Sequence, residues 1–179
     1  AFGLQPNFLK GDILINMDSE DEVELYVGCA GGIDADISFR YTEVEIEEGD
    51  VALKVSLTGL KGGHSGVDIH LQRGNANKMM FRFLKEAVSD FEARLASIDG
   101  GSLRNAIPRE AHAIITVPKD GVEDIMDFVI DCNELFEEEF ETDNNVFIRM
   151  KILNKRISRQ RSSKQIIKAY EFLVDFKKG

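Results

Sequence analysis

Val51-Ala52-Leu53-Lys54-Val55-Ser56-Leu57-Thr58, followed after a glycine-rich loop by Ala76, Met79, Met80, Phe83, Leu84, Ala87, Phe91 and Leu95, sets the character of the chain. In the first run apolar residues alternate with Lys54, Ser56 and Thr58. A period of two describes a strand with one dry and one wet face. In the second run apolar residues recur at three- and four-residue steps, which predicts an amphipathic helix over 76–95. Asn75 is placed to cap it and Asp99-Gly100-Gly101 to end it. An antiparallel sheet with helices laid on it is the fold this pairing suggests.

The same two periods extend outward. Ile33, Ala35, Ile37, Phe39 and Tyr41 alternate with polar neighbours, and Glu48-Gly49-Asp50 supplies a turn, so a hairpin with 51–57 is predicted. His112, Ile114 and Thr116 alternate with Ala113, Ile115 and Val117 as a further strand. Asp120 with Glu123 resembles a capping box ahead of a helix whose stripe is Val122, Ile125, Met126, Val129, Phe136 and Phe140. Residues 146–153 read as another strand. Ser162 and Gln165 precede a last helix carrying Ile166, Ile167, Tyr170, Leu173 and Val174. The order is β-β-α-β-α-β and then α. We read it as an α+β two-layer sandwich, two helices on one face of an antiparallel sheet, with a C-terminal helix added. Upstream, Asp12 to Met17 form a short apolar run ending at Asp18, the pattern of a buried strand that delivers a carboxylate at its end.

Composition limits the function classes. The 179 residues are 43% hydrophobic and 30% charged, which fits a globular chain with a real core. The longest apolar runs are a few residues, so no membrane association is expected. Cys29 and Cys132 are far apart with no CxxC spacing, as suits buried thiols in a reducing, cytoplasmic setting. The net charge of −10 is uneven. From Arg149 to Gly179 ten Lys or Arg stand against Glu171 and Asp175, about +8, leaving about −18 elsewhere. No aromatic or Gly-rich pattern interleaves these bases, which argues for an exposed helix face and against nucleic acid.

Three features carry possible chemistry. His64, between Gly63 and Ser65-Gly66, lies where backbone freedom lets an imidazole project from a loop; an ordinary loop histidine fits equally. His70 follows six residues later, but neither helix nor strand brings two residues at that spacing together, so a metal pair is not expected. Asp18 suits either a ligand at a strand end or a solvated turn. Asn105, ahead of Ala106-Ile107-Pro108, is either an amide offered to a ligand or a turn asparagine bonded to its own backbone. There is no GxSxG, P-loop or HExxH.

Gly59-Leu60-Lys61-Gly62-Gly63-His64-Ser65-Gly66, Arg73-Gly74-Asn75-Ala76-Asn77-Lys78 and Leu103-Arg104-Asn105-Ala106-Ile107-Pro108-Arg109-Glu110-Ala111 resemble, in that order, the aminoacyl-histidine dipeptidases. These belong to the di-zinc metallopeptidase family that includes carboxypeptidase G and carnosinase. Gly3-Leu4-Gln5, the run Leu14 to Glu20 and Gly28 to Gly32 are similar as well.

The resemblance implies a two-domain hydrolase, a metallodipeptidase, with two zinc ions (cobalt or manganese being alternatives) in a catalytic domain. An inserted lid closes over the site and mediates homodimerisation. It implies that Asp18 is a zinc ligand, that His64 polarises the scissile carbonyl and stabilises the oxyanion, and that Asn105 holds the terminal carboxylate of a dipeptide. Residues 1–22 would end a catalytic-domain segment, 23–155 form the lid, and 156–179 extend it. The remaining ligands of the family pattern are not in this chain, so the chain alone is expected to be inactive and to hold no zinc. The alternative is a stand-alone dimerisation or ligand-binding module with the lid fold.

Overall fold

The computed structural model describes residues 35–140 and 147–153, the backbone of 159–161, and residues 7, 8, 10–13, 15, 23, 24, 26–28 and 33. The chain divides into two units, Ala1–Ser38 and Phe39–Gly179.

In the second unit the elements run β1 (Glu43–Glu45), β2 (Val51–Thr58), β3 (Gly63–His64), α1 (Ala76–Asp90), β4 (Arg94–Gly100), β5 (Ala106–Ile107), β6 (Ala111–Val117), α2 (Val122–Glu139), β7 (Phe147–Ile152) and β8 (Arg159–Arg161). Single 3-10 turns, Ile69–Leu71 and Lys119–Gly121, precede the two helices. The main sheet is antiparallel in the order β4-β6-β2-β7.

Strand β2 is one of the two inner strands, paired with β6 and β7, and its alternation is clean. Leu53, Val55 and Leu57 point to one face and are fully buried. The register sets Leu57 opposite Ala111 and Ile148, and Val55 opposite Ala113 and Met150. These rows form one cluster with the apolar stripes of both helices, Met79, Met80, Phe83 and Leu84 from α1 and Ile125, Val129 and Phe136 from α2. The Phe128 ring stacks between Phe83 and Phe91, with centroids 5.4 and 5.0 Å apart. This is the α+β sandwich the periodicity predicts. Truncating a buried Leu or Phe there would cost about 2–5 kcal/mol.

Four expectations change. First, residues 35–42 are not a strand: Ile37, Phe39 and Tyr41 are about half exposed. Among the described residues strand begins at β1, which pairs with β8, Glu43 facing Arg161 in the register. The predicted hairpin cannot form because both edges of β2 are taken by β6 and β7.

Second, α1 ends at Asp90 and not near residue 95. Glu92 takes a left-handed φ of 53°, and the Ala93 N–H donates to the Ala87 carbonyl across the turn. That closure frees Leu95 for β4, the strand missed in the sequence.

Third, Asp120 does not cap α2. The chain enters through the 3-10 turn, with Gly121 at the cap, and Glu123 and Asp124 provide the acidic first turn. Fourth, Asp12, Ile13 and Ile15 of the upstream run lie outside any strand; both isoleucines are more than four-fifths exposed. A buried strand needs neighbours, and no described residue pairs with this run.

Asn75 does cap α1, its side-chain oxygen accepting from Asn77 N and Lys78 N at 3.1 and 3.2 Å. The turn at Glu48-Gly49 forms, with Gly49 at φ 101° and Asp50 N donating to Glu47 O. Asp18, Cys29 and the last helix lie outside the described residues.

Candidate functional site

The loop between β2 and α1 meets the loop between β4 and β6 in a two-stranded sheet of their own. In it Gly63 faces Ile107 and His64 faces Ala106. The Ser65 N–H extends the ladder, donating to the Asn105 carbonyl at 2.9 Å. Two sequence-predicted residues, His64 and Asn105, thus sit at adjacent register positions although 41 residues separate them. Asn105 also occupies the third position of a turn closed by Ala106 N donating to Leu103 O at 3.3 Å. Asn105 thus lies in a turn and beside His64 in the register at once.

His64 is exposed, yet its ring is fixed. Nδ1 accepts from Gly66 N at 3.0 Å and from Val67 N at 3.1 Å. A nitrogen that accepts two amide hydrogens carries no proton of its own, so in the neutral ring the hydrogen is on Nε2. His64 therefore offers a donor. The ring lies over Gly66, where an added Cβ would stand 3.4 Å from Nδ1 and Cε1.

His70 has the opposite arrangement. Its Nδ1 contacts the Val67 carbonyl at 2.9 Å, and a carbonyl only accepts, so Nδ1 carries the hydrogen. His112 belongs to the sheet, its Nδ1 3.1 Å from Ser56 Oγ. Among the described residues no three His, Cys, Asp or Glu side chains form a group that could hold a metal ion.

Two residues the sequence reading assigned no role are part of this loop. The Asp68 carboxylate accepts from His64 N at 2.8 Å and lies 3.5 Å from the Arg73 guanidinium. Arg73 in turn donates to the Gly62 carbonyl at 2.7 Å. The signal available was weak: an acid four residues after a glycine-flanked histidine, and an arginine opening the Arg73-Gly74-Asn75 run. That run continues the scaffold. Ala76 N donates to the Pro108 carbonyl at 3.0 Å, and Asn77 Nδ2 reaches Gly100 O at 3.4 Å. The start of α1 thus fastens the β5 side of the small sheet, and the end of β4, to the sandwich.

The glycines are required by this packing. A Cβ on Gly62, at φ 67°, would come within 2.2 Å of the Arg109 stem. One on Gly63, at φ 145°, would lie 2.5 Å from Arg73 and 2.6 Å from Asp68. On the helix side a groove lined by Arg73, Asn75, Lys78, Arg82, Ile107 and Phe140 gathers three basic groups.

Comparison with known proteins matches residues 55–144 to the family described as peptidase dimerisation domain. Cytosol non-specific dipeptidase of Escherichia coli (strain K12) is 48% identical over 139 residues, 78% of this chain and 29% of that protein. The crystal structure of aminoacylhistidine dipeptidase from Vibrio alginolyticus superposes with a TM-score of 0.81 at 38% identity, over 95% of this chain and 35% of that one. The chain therefore spans about a third of the length of these relatives. No helix among the described residues is long and apolar enough to cross a membrane.

Proposed function

Since the chain belongs to the peptidase dimerisation domain family, we propose that it is the lid of a zinc dipeptidase acting on Xaa-His and other dipeptides. In this reading residues 1–22 end a segment of the catalytic domain, 23–155 are the lid proper and 156–179 extend it. The lid pairs with a second copy, and the enzyme works in the cytoplasm.

The observation that carries the reading is His64 Nδ1 accepting from the amides of Gly66 and Val67 one register position from Asn105, which leaves Nε2–H as the donor of the neutral ring. When a peptide carbonyl goes tetrahedral, charge collects on its oxygen. A donor already aimed at that position stabilises the transition state more than the substrate. His64 is that donor, and the Asn105 amide orients the substrate through its terminal carboxylate.

In this reading Asp18 is a zinc ligand and the other ligands belong to the rest of the enzyme; among the described residues no three His, Cys, Asp or Glu side chains form a group that could hold a metal ion. The lid contributes binding and charge stabilisation, and by itself it is inactive.

The test is hydrolysis of Xaa-His dipeptides by the whole enzyme with added zinc or cobalt. His64→Ala should lower kcat by about 10²–10³. An enzyme that leaves such dipeptides intact, or one indifferent to His64→Ala, would overturn the reading.

A further inference from the structure

We propose that Asp68 and Arg73 are positioning residues for His64: they hold the turn that dictates which imidazole nitrogen carries the proton. The proposal deepens the reading of His64 as a donor and rests on it for its kinetic consequence only.

The geometry is that of a helix cap with one part exchanged. At an ordinary N-cap a side-chain oxygen accepts from amides two and three residues on, while a downstream carboxylate accepts from the cap's own N–H. Here Nδ1 of His64 stands where the oxygen would be, accepting from Gly66 N and Val67 N. Asp68 supplies the carboxylate, accepting from His64 N at 2.8 Å, and its own N–H returns to the His64 carbonyl at 3.0 Å. The five residues close on themselves. A serine or aspartate would cap this turn as well, but would present nothing beyond it; histidine caps with one nitrogen and leaves the other facing outward.

The turn has no apolar support. Residues 64–67 are exposed, and the 3-10 turn that follows buries none of its side chains. Its order must come from polar contacts, and these converge on Gly63. Arg73 grips the carbonyl before it and Asp68 the N–H after it, and the two side chains meet at 3.5 Å, close enough to the glycine to exclude a Cβ. Removing Asp68 leaves His64 N unpaired and lets the turn open. The two amides then no longer select Nδ1 as acceptor, and the ring is free to exchange tautomers. Arg73 acts one step back, by orienting the carboxylate.

Long-range proton–nitrogen correlation of the three imidazoles in this chain reads the tautomer directly. Spectra recorded at about pH 9 lie above the ordinary titration range of histidine. We expect His64 as the Nε2–H form and His70, its contrast on the same loop, as the Nδ1–H form. Asp68→Ala and Arg73→Ala should turn His64 into an exchanging mixture while His112 in the sheet keeps its shifts. Asp68→Asn retains an oxygen that accepts His64 N–H and should restore most of the single form. In the whole enzyme Asp68→Ala should lower kcat by about 10–10²-fold with KM little changed, as for a displaced catalytic group, and Asp68→Asn should recover most of it.

A wild-type His64 carrying its proton on Nδ1 overturns the proposal. So does an Asp68→Ala chain that keeps native amide dispersion and an unaltered His64 tautomer. If Asp68→Ala unfolds the chain, Asp68→Asn and Arg73→Ala decide by the same readout. The tautomer is measured without substrate or zinc, so its outcome stands apart from whether the parent is a dipeptidase.

Discussion

The Ser65 N–H donates to the Asn105 carbonyl at 2.9 Å, joining two loops that the main sheet leaves on opposite sides of α1 in sequence. The bond carries no chemistry itself. Its effect is to make the His64 loop and the Asn105 turn one object, so that a donor and an amide side chain keep their separation when the loop moves. With the Pro108 carbonyl held by the first N–H of α1, that object is anchored to the best-packed helix of the sandwich. A site assembled from surface loops gains rigidity in this way without burying its functional groups.

Gly63→Ala should separate this local order from global stability. The added methyl would stand 2.5 Å from the Arg73 guanidinium and 2.6 Å from the Asp68 carboxylate, at a φ of 145° that side chains rarely adopt. Both groups are ends of flexible side chains, so they swing away and release the Gly62 carbonyl and the His64 N–H. We expect the His64 tautomer to be lost and amide exchange across residues 62–68 to accelerate, while the thermal midpoint of the sandwich falls by only a few degrees, about 1 kcal/mol or less. A midpoint loss above about 10 °C would mean that the loop is integral to the core.

Glu92→Gly should stabilise the chain. Glu92 occupies the left-handed position that closes α1, with φ 53° and the Ala93 N–H bonded to the Ala87 carbonyl. Glycine adopts that conformation without the steric penalty of a Cβ, so the gain should be about 0.5–1 kcal/mol in urea unfolding. A loss of stability would show that the Glu92 side chain has its own favourable contacts.

The same residue explains where the sequence was legible and where it was not. The core faces of β2, β6, α1 and α2 were readable because burial imposes a strict period, and Leu53, Val55 and Leu57 follow it without exception. The end of α1 was not, because its stop is a glutamate and Leu95 happens to continue the four-residue step. The alternation at 33–41 was equally real but says nothing about partners, and β2 had none to spare. In the loop, glycines flagged His64 and proline flagged Asn105. Asp68 and Arg73 were silent, since their role depends on a fold-back of five residues that no periodicity records.

Cys132 should be inert in the native chain. It is buried on α2, and its thiol is pushed up to about 12, chiefly by burial, with Glu86 and Asp131 adding to the effect and Arg82 opposing it. At pH 8 almost none is thiolate, the reactive form. In a Cys29→Ser background, labelling by an aromatic disulfide reagent should follow the rate of unfolding and accelerate with denaturant. Rapid stoichiometric labelling without denaturant would show that the α2 face opens in the native state.

Arg82 and Glu139 tie α1 to α2, and their contribution should depend on pH in a defined direction. The two guanidinium nitrogens lie 2.5 and 2.9 Å from the carboxylate oxygens, and the guanidinium also covers the Phe136 ring at 5.1 Å. The hydrogen bond from Arg82 holds the Glu139 carboxyl below its ordinary value, against a smaller opposing effect of burial. A carboxylate depressed in the folded state adds stability that is complete above its unfolded value, about 4.3, and disappears as pH falls through the folded one. The stability difference between wild type and Glu139→Gln should therefore be flat from about pH 6 to 8 and shrink below about pH 4. Both side chains are about one-third exposed, so solvent screening limits the plateau to about 0.2–1 kcal/mol, smaller still at high salt. Asp50 has the opposite sign: burial raises its pKa more than Arg94 lowers it. Its protonation favours the folded chain as pH drops into the carboxylate range, so the two effects oppose each other in the wild type. The Glu139→Gln comparison removes only one of them, and a difference that grew on acidification would contradict the assignment of the Arg82 pair.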